Sequence, residues 1–345
     1  MSITYRAVQP HEEDALLRLW MAVLEDSYTN RQQLFGDVSN DPHRFARTQV
    51  AISPEGTICG AVTHWLRQIR QTDGTPVSVG HLWGMATDPA YRRRGIATAL
   101  LDRAMTTMRQ EGCQWAVLFA REEARPLYER QGWQGFPTRY RGDFALDNPP
   151  ESPTYQVSPY DPWQSKAAWQ PLAAIYADYN RYRPASLVRT PAYWQGYAAW
   201  MARDWVDNQC ARYLVVTPVE QPQAICGYAL VHFYDQIYAE SHFGSPPWFA
   251  VSELGVLAAA PGAMTALLAG VVREAKRQQM VYGQFSAPEE PQLAAALQTL
   301  FHQPLNREEV TGSLMARPIA PAMTSADLAS LFTASGAWLW EVDRY

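Results

Sequence analysis

Lysine is nearly missing from this chain. Among 345 residues only Lys166 and Lys276 are lysines, so the basic charge rests on arginine, a bias that a GC-rich genome would produce. Basic charge is also outnumbered: the formal net charge is -5, and no second basic patch accompanies the arginine run described below. Proteins that grip a phosphate backbone carry a basic field, so nucleic acid is not an expected partner. The four cysteines, Cys59, Cys113, Cys210 and Cys226, form no C-x-x-C pair and share no metal spacing with the seven histidines. That excludes a zinc module and a disulfide framework, and suits a reducing compartment. No metal is expected. The start, Met-Ser-Ile-Thr-Tyr-Arg, lacks the apolar stretch of a signal peptide. The longest apolar run, Leu254 to Val272, is broken by Pro261-Gly262 and reads as strand, turn and helix. The expectation is a cytoplasmic protein with no membrane partner. Also missing are the two common nucleotide loops, G-x-x-x-x-G-K-[ST] and a G-x-G-x-x-G after a strand.

What is present instead lies between Thr87 and Leu101: Thr-Asp-Pro-Ala-Tyr-Arg-Arg-Arg-Gly-Ile-Ala-Thr-Ala-Leu-Leu. A strand end runs through an arginine-glycine turn into a helix. Gly95 and the small Ala97 let backbone N–H groups face an anion, the helix start adds its positive end, and Arg92, Arg93 and Arg94 add full charges. This is the make-up of a diphosphate cradle.

The flanks supply regular structure. Val77 to Thr87 reads as a strand closed by Asp88-Pro89. From Ile96 to Gln110 the apolar residues Ala97, Leu100, Leu101, Ala104, Met105 and Met108 recur three and four apart, the pattern of an amphipathic helix stopped at Gly112. Trp115 to Ala120 reads as a buried strand, and Glu122 to Gln131 as a short helix ending at Gly132. A second segment then reads Ala124-Arg-Pro-Leu-Tyr128-Glu-Arg-Gln-Gly132-Trp133.

Arg92-x-x-Gly95-x-Ala97 resembles the R/Q-x-x-G-x-G/A signature of the GNAT superfamily of N-acetyltransferases, and the Tyr128 segment resembles its A-x-x-x-Y-x-x-x-G-F/W stretch. The resemblance implies an α/β fold with a mixed sheet and acetyl-CoA as co-substrate. It implies that Met85, Ala86 and Thr87 pair with the pantetheine amides, that Arg92, Arg93, Arg94, Gly95, Ile96, Ala97 and Thr98 hold the diphosphate, and that Ala124 packs near the cofactor. Tyr128 would be the general acid, because a phenol with an ordinary pKa of about 10 stays protonated at neutral pH and can protonate the departing thiolate. The base stays open among His81, Glu25, Asp26 and the carboxylate of Tyr345. The acceptor would be a primary amine of a small molecule or peptide; an acidic chain is compatible with an aminoglycoside, a polyamine or a peptide amine. A non-catalytic acyl-CoA-binding or scaffold protein is the alternative, and oligomeric state is open.

A break at Asp147-Asn-Pro-Pro-Glu-Ser-Pro153 separates two stretches that look like copies. Ile58-Cys59-Gly60 recurs as Ile225-Cys226-Gly227, and Val79-x-x-Leu82 before Pro89 as Val251-x-x-Leu254 before Pro261. Thr98-Ala-Leu-Leu101 recurs as Thr265-Ala-Leu-Leu268, and Ala120-x-Glu-Glu123 as Ala287-x-Glu-Glu290. Pro89 and Thr98 are nine residues apart but Pro261 and Thr265 only four, so the second copy is expected to lack five residues of the arginine loop. Tyr128 falls opposite Ala295. The expected organisation is a catalytic domain at 1–146, a linker at 147–154, a degenerate GNAT-like domain at 155–320 and a tail at 321–345. Tandem folds with an inactive second copy resemble the enhanced-intracellular-survival (Eis) type of N-acetyltransferase. The 28 residues after Arg317 are too few for that type's sterol-carrier-like domain. In that type a terminal aromatic's carboxylate serves as base, which is the role implied for Tyr345. The aromatic tail, Trp338-Leu-Trp-Glu-Val-Asp-Arg-Tyr345, also suits docking into a groove for packing alone.

Overall fold

The computed structural model describes residues 2–24, 41–145, 149, 151–194, 211–301, 308–340 and 343. Strands β1 (Thr4–Ala7), β2 (Gln49–Ile52), β3 (Ile58–Arg70) and β4 (Pro76–Thr87) pair antiparallel in succession, with α1 (Glu13–Val23) between the first two. Helix α2 (Ile96–Gln110) then crosses to β5 (Trp115–Phe119), which lies parallel to β4. Short α3 (Arg125–Arg130) and β6 (Gln134–Ala145) follow.

The second half repeats this order. It runs β7 (Tyr155–Tyr160), α4 (Trp169–Tyr179), β8 (Ala211–Pro218), β9 (Gly227–Tyr234), α5 (Gln236–Phe243) and β10 (Trp248–Val256). Then come α6 (Ala263–Arg277), β11 (Tyr282–Ala287), α7 (Pro291–Phe301), β12 (Glu308–Pro318) and α8 (Ser325–Phe332).

All twelve strands join one sheet in the order β1-β2-β3-β4-β5-β12-β6-β11-β10-β9-β8-β7. At its centre the halves exchange their last strands: β12 pairs with β5 of the first half, and β6 with β11 of the second. Each exchanged strand hides an edge that would otherwise offer unpaired backbone groups. The seam is apolar as well as hydrogen-bonded, since Ile69, Val79, Trp115 and Phe136 share one continuous core with Tyr213, Leu230, Leu268 and Phe332.

Local physics fixes the two crossover helices alike. In α2 the buried stripe is Ile96, Leu100, Leu101, Ala104, Met105 and Met108, and the helix starts after left-handed Gly95 (φ 78°). It stops at left-handed Gly112, where Cys113 N–H returns to Met108 O at 3.0 Å, the geometry of a Schellman cap. α6 starts after left-handed Gly262 (φ 83°) and stops at Gln279, which takes φ 61° without being glycine, with Met280 N–H on Ala275 O at 3.0 Å.

The pairing confirms part of the repeat and corrects the rest. Cys59 and Cys226 do correspond: their thiols each reach a carbonyl on the preceding strand, Ala51 O and Val216 O, at 3.3 Å. The match of Val79 with Val251 is wrong. Val79 faces Trp115 on β5, and Trp248 faces Tyr282 on β11, so Val79 corresponds to Trp248. The crossover loops are therefore residues 88–95 and 257–262, eight against six, and the second copy is two residues short rather than five. It still lacks the charge, reading Leu257-Ala-Ala-Ala-Pro-Gly262.

Candidate active site

β4 and β5 pair only from Val79–His81 to Trp115–Val117, then diverge. Beyond His81 one edge of β4 has no strand partner among the described residues, and a cavity of about 330 Å³ opens there. It is lined by His81, Leu82, Trp83, Gly84 and Met85 from β4, by Leu118 and Phe119 at the end of β5 and Ala120 and Arg121 after it, by Ala124 and Tyr128, by Leu24 after α1, and by Ser313 of β12. Four of the residues singled out in the sequence, His81, Met85, Ala124 and Tyr128, thus meet at one place.

The cleft's mouth is shaped by a β-bulge. Ala86 pairs with Ala61 and Trp83 with Thr63, so Gly84 and Met85 together oppose Val62. Gly84 takes φ 63°, and a Cβ there would lie 2.9 Å from the Trp20 indole. The indole N–H donates to Gly84 O at 2.6 Å, which locks α1 onto the bulge. Ala86 and Thr87 pair with β3 on one side, while on the other, among the described residues, β5 does not extend to them. An extended, amide-bearing ligand would find a strand edge there.

The arginine loop adjoins that edge. Asp88 caps it by accepting Ala90 N–H at 2.8 Å, Arg92 Nε donates to Thr87 O at 3.2 Å, and Arg94 donates to Ala90 O at 3.1 Å with its guanidinium over the Tyr91 ring. Arg93 and Gly95 both take left-handed φ, 61° and 78°. Among the described residues the amides of 93 to 98 make no hydrogen bond, while Ala99 N–H already reaches Gly95 O. A Cβ on Gly95 would meet nothing within 4 Å, so the space over these amides is open. Six consecutive free donors at a helix start are a backbone arrangement that suits an anion.

Tyr128 is 5% exposed, edge-on to Trp133 at 6.0 Å, and its hydroxyl has no hydrogen-bond partner among the described residues. Burial raises its pKa above the ordinary tyrosine value, so it is a phenol with a proton to give. His81 is 3% exposed between the Trp65 and Phe119 rings. Burial, with Arg67 nearby, pushes its pKa down to about 3. It is a neutral imidazole at any working pH. Glu25, Asp26 and Tyr345 lie outside the described residues. Among the residues that line the cavity Arg121 is the one formal charge, so the chain's overall acidity is not reflected in this wall.

Sequence reasoning missed Gly84, Arg121 and Ser313. A glycine inside a strand pattern, Trp83-Gly84-Met85, is a bulge signal that could have found the first. Nothing local marks Ser313, whose place depends on the strand exchange.

The second half's interior is filled. Arg189 donates to Glu253 through both Nη atoms, at 3.0 Å for the longer bond, and to Asp343 through Nε at 2.9 Å. Tyr228 donates to Glu253 at 2.5 Å and Tyr193 to Asp343 at 2.6 Å, and the guanidinium lies 3.8 Å over the Tyr176 ring. The side chains of Arg189, Glu253 and Asp343 are at most 1% exposed. Trp340, fully buried, donates to Asn180 at 3.1 Å, so the tail docks in the second half, as a groove-packed aromatic terminus would. Among the described residues no cluster of three or more His, Cys, Asp or Glu could hold a metal ion, and no helix is long and apolar enough to cross a membrane.

The first half joins a splayed pair of parallel strands, a run of unbonded amides at a helix start and a tyrosine at the opening, and its strand and crossover-helix order recurs in the second half. Residues 4–136 match the profile of the family described as acetyltransferase (GNAT) domain. A glucosamine 6-phosphate N-acetyltransferase of Trypanosoma brucei brucei is 29% identical over 90 residues, 26% of this chain and 60% of that protein, so the match spans about three-fifths of the relative. A GCN5-related N-acetyltransferase from Anabaena variabilis shares the fold with a TM-score of 0.70 at 12% identity, over 92% of this chain and 73% of its own. Eis1 from Mycobacterium abscessus does so with a TM-score of 0.64 at 18% identity, over 92% and 74%. Residues 4–136 therefore match a GNAT acetyltransferase domain, and the chain as a whole shares its fold with these N-acetyltransferases and with Eis1.

Proposed function

We propose that the chain transfers an acetyl group from acetyl-CoA to a primary amine in the first-half cleft, with residues 1–146 as the catalytic unit and 155–320 as a unit that keeps the fold. The observation that carries this is the run of amides at 93 to 98 beside a cleft walled by the Tyr128 hydroxyl, none of them hydrogen-bonded among the described residues. Arg92, Arg93, Arg94 and the amides through Thr98 would hold the diphosphate, the open edge of Met85, Ala86 and Thr87 the pantetheine amides, and Ala124 would pack on the cofactor. The thioester carbon would then lie toward Tyr128.

In the reaction the amine lone pair attacks the carbonyl carbon, a C–N bond forms, and collapse breaks the C–S bond. Tyr128 donates its proton to the sulfur, so coenzyme A leaves as a thiol. The nitrogen gives up its own proton to a base. A group with a pKa near 3 is a poor match for an ammonium, whose pKa lies near that of lysine at about 10, so His81 can orient the nitrogen but not strip it. The amine enters as the free base or loses its proton to water or to a group outside the described residues, where Glu25, Asp26 and the Tyr345 carboxylate remain the candidates.

The acceptor class follows only in outline: a small molecule or peptide with a primary amine. An amino-sugar phosphate belongs on the panel because the curated relative is named for one. The test is thiol release from acetyl-CoA with glucosamine 6-phosphate, spermidine, an aminoglycoside and a lysine peptide. Turnover with at least one amine, abolished when the Arg92–Gly95 loop is replaced by alanines, is expected; tight acetyl-CoA binding without turnover on any would favour an acyl-CoA-binding protein instead.

A further inference from the structure

The strand exchange leaves a trace inside the cleft. Ser313 belongs to β12, from the second half, yet it lines the same cavity as His81, Gly84 and Tyr128. A pairing defect puts it there. Thr311 pairs with Pro137 and Met315 with Gly135, so four steps along β12 match two along β6. Pro137 has no N–H to offer the ladder, and the surplus residues of β12 bulge beside it. At the bulge β12 turns to β5: Ser313 O accepts Ala120 N–H at 2.7 Å and Leu314 pairs with Phe119. Leu314 and Met315 are buried in the core, while Ser313 stays half-buried at the cavity wall. Bulges beside active sites re-aim side chains in this way.

The polar side chains of the wall divide by chemistry. Tyr128 is the proton donor and Arg121 has no lone pair to accept with, while the backbone Gly84 O already accepts the Trp20 indole N–H. A neutral primary amine that aims its lone pair at a carbonyl still has two N–H bonds to satisfy. His81 as a neutral imidazole accepts one. We propose that Ser313 is the second: its hydroxyl oxygen accepts an N–H of the attacking amine and so orients the lone pair toward the thioester. This rests on the acetyl-transfer reading above, and it makes the second half a contributor to the chemistry of the first.

The Ser313→Thr and Ser313→Val variants have the same shape and differ by the hydroxyl alone. With the amine that the wild type turns over fastest among the four above, Val is expected to lose about three- to tenfold in kcat/KM for the amine relative to Thr, the weight of one hydrogen bond. Acetyl-CoA affinity by calorimetry and the melting temperature should match between the two. The wild type's preference for the primary amine over its N-methyl analogue should narrow in the Val variant, which a purely structural role would not change. Equal kcat/KM and equal N-methyl discrimination in Thr and Val would overturn the assignment while wild-type turnover leaves acetyl transfer standing. No wild-type turnover on any amine would overturn both.

Discussion

Replacing Tyr128 with phenylalanine removes one oxygen and its proton from the cleft wall and leaves the ring against Trp133. The hydroxyl has no hydrogen-bond partner among the described residues, so its loss orphans no group and should change stability by no more than about 0.5 kcal/mol. If it supplies the proton to the sulfur, kcat should fall about 10²-fold, or about 2.7 kcal/mol of barrier. Acetyl-CoA binding should be unchanged. The pH profile sharpens the test, because a pKa raised by burial keeps the acid form at every pH below it, so Tyr128 imposes no alkaline loss of activity up to pH 10. The Phe variant should therefore lower the whole profile without shifting its limbs. Thiol release followed with a disulfide reagent, alongside a melting curve and a calorimetric titration, reads all three quantities. A Phe variant with near wild-type kcat would refute the assignment, and so would an equal loss in stability and rate.

Calorimetry should find one acetyl-CoA per chain, because the 257–262 loop has no arginine; two equivalent sites would contradict that. Arg93→Ala with Arg94→Ala should mainly raise the acetyl-CoA KM, since these groups act far from the reacting carbon, and a fall in kcat at unchanged KM would misplace them. Asp343→Asn takes one carboxylate from the fully buried Arg189 and should cost about 3 kcal/mol in denaturant unfolding; a loss below 1 kcal/mol would mean that water reaches the cluster. His81, with a folded pKa of about 3 against an unfolded value near 6.5, binds fewer protons folded than unfolded, so its contribution is full above pH 6.5 and is lost as pH falls toward 3. At about 1.4 kcal/mol per pH step, wild type should lose several kcal/mol over that window relative to His81→Gln, and parallel stability curves would refute the burial argument.

What was legible in the sequence was local. The bounds of α2 follow from apolar spacing and from Gly95 and Gly112, and the anion loop follows from arginines and a glycine within a few residues of one another. The repeat was legible because its cysteines and helix starts are punctuated by glycine. Its register along β4 and β10 was not. Those strands are buried on both faces, where Val, Leu and Trp substitute freely, and each carries a bulge at a different step, so sequence matches slid against the pairing. Contacts between residues far apart in the chain were out of reach. Arg189 and Asp343 are 154 residues apart, Trp20 and Gly84 are 64 apart, and neither pair has a local signature. The many aromatics from Trp163 onward belong to the core rather than to an open cleft: Trp169, Tyr176, Tyr193 and Trp194 are buried together.

These contacts bear on why a half without a cradle is kept. If the second half only covered a surface, its strands could sit beside the first half's sheet. Instead β12 runs between β5 and β6, and β6 leaves for β11, so neither half can complete its own central strands. The profile match over 4–136 ends within β6, short of where the missing strand would come from. Arg70, at the end of β3, donates to Leu187 O at 2.7 Å and is itself buried, tying the long hairpin of the first half to the loop that presents Arg189. Arg189 pairs with Glu253 and Asp343, so its buried charge is met only when the second half and the tail are in place, and Arg70 ties the first half to that loop. The second half thus fills its interior with an ionic core of its own elements and the tail, while its last strand crosses over to form part of the cleft wall in the first half.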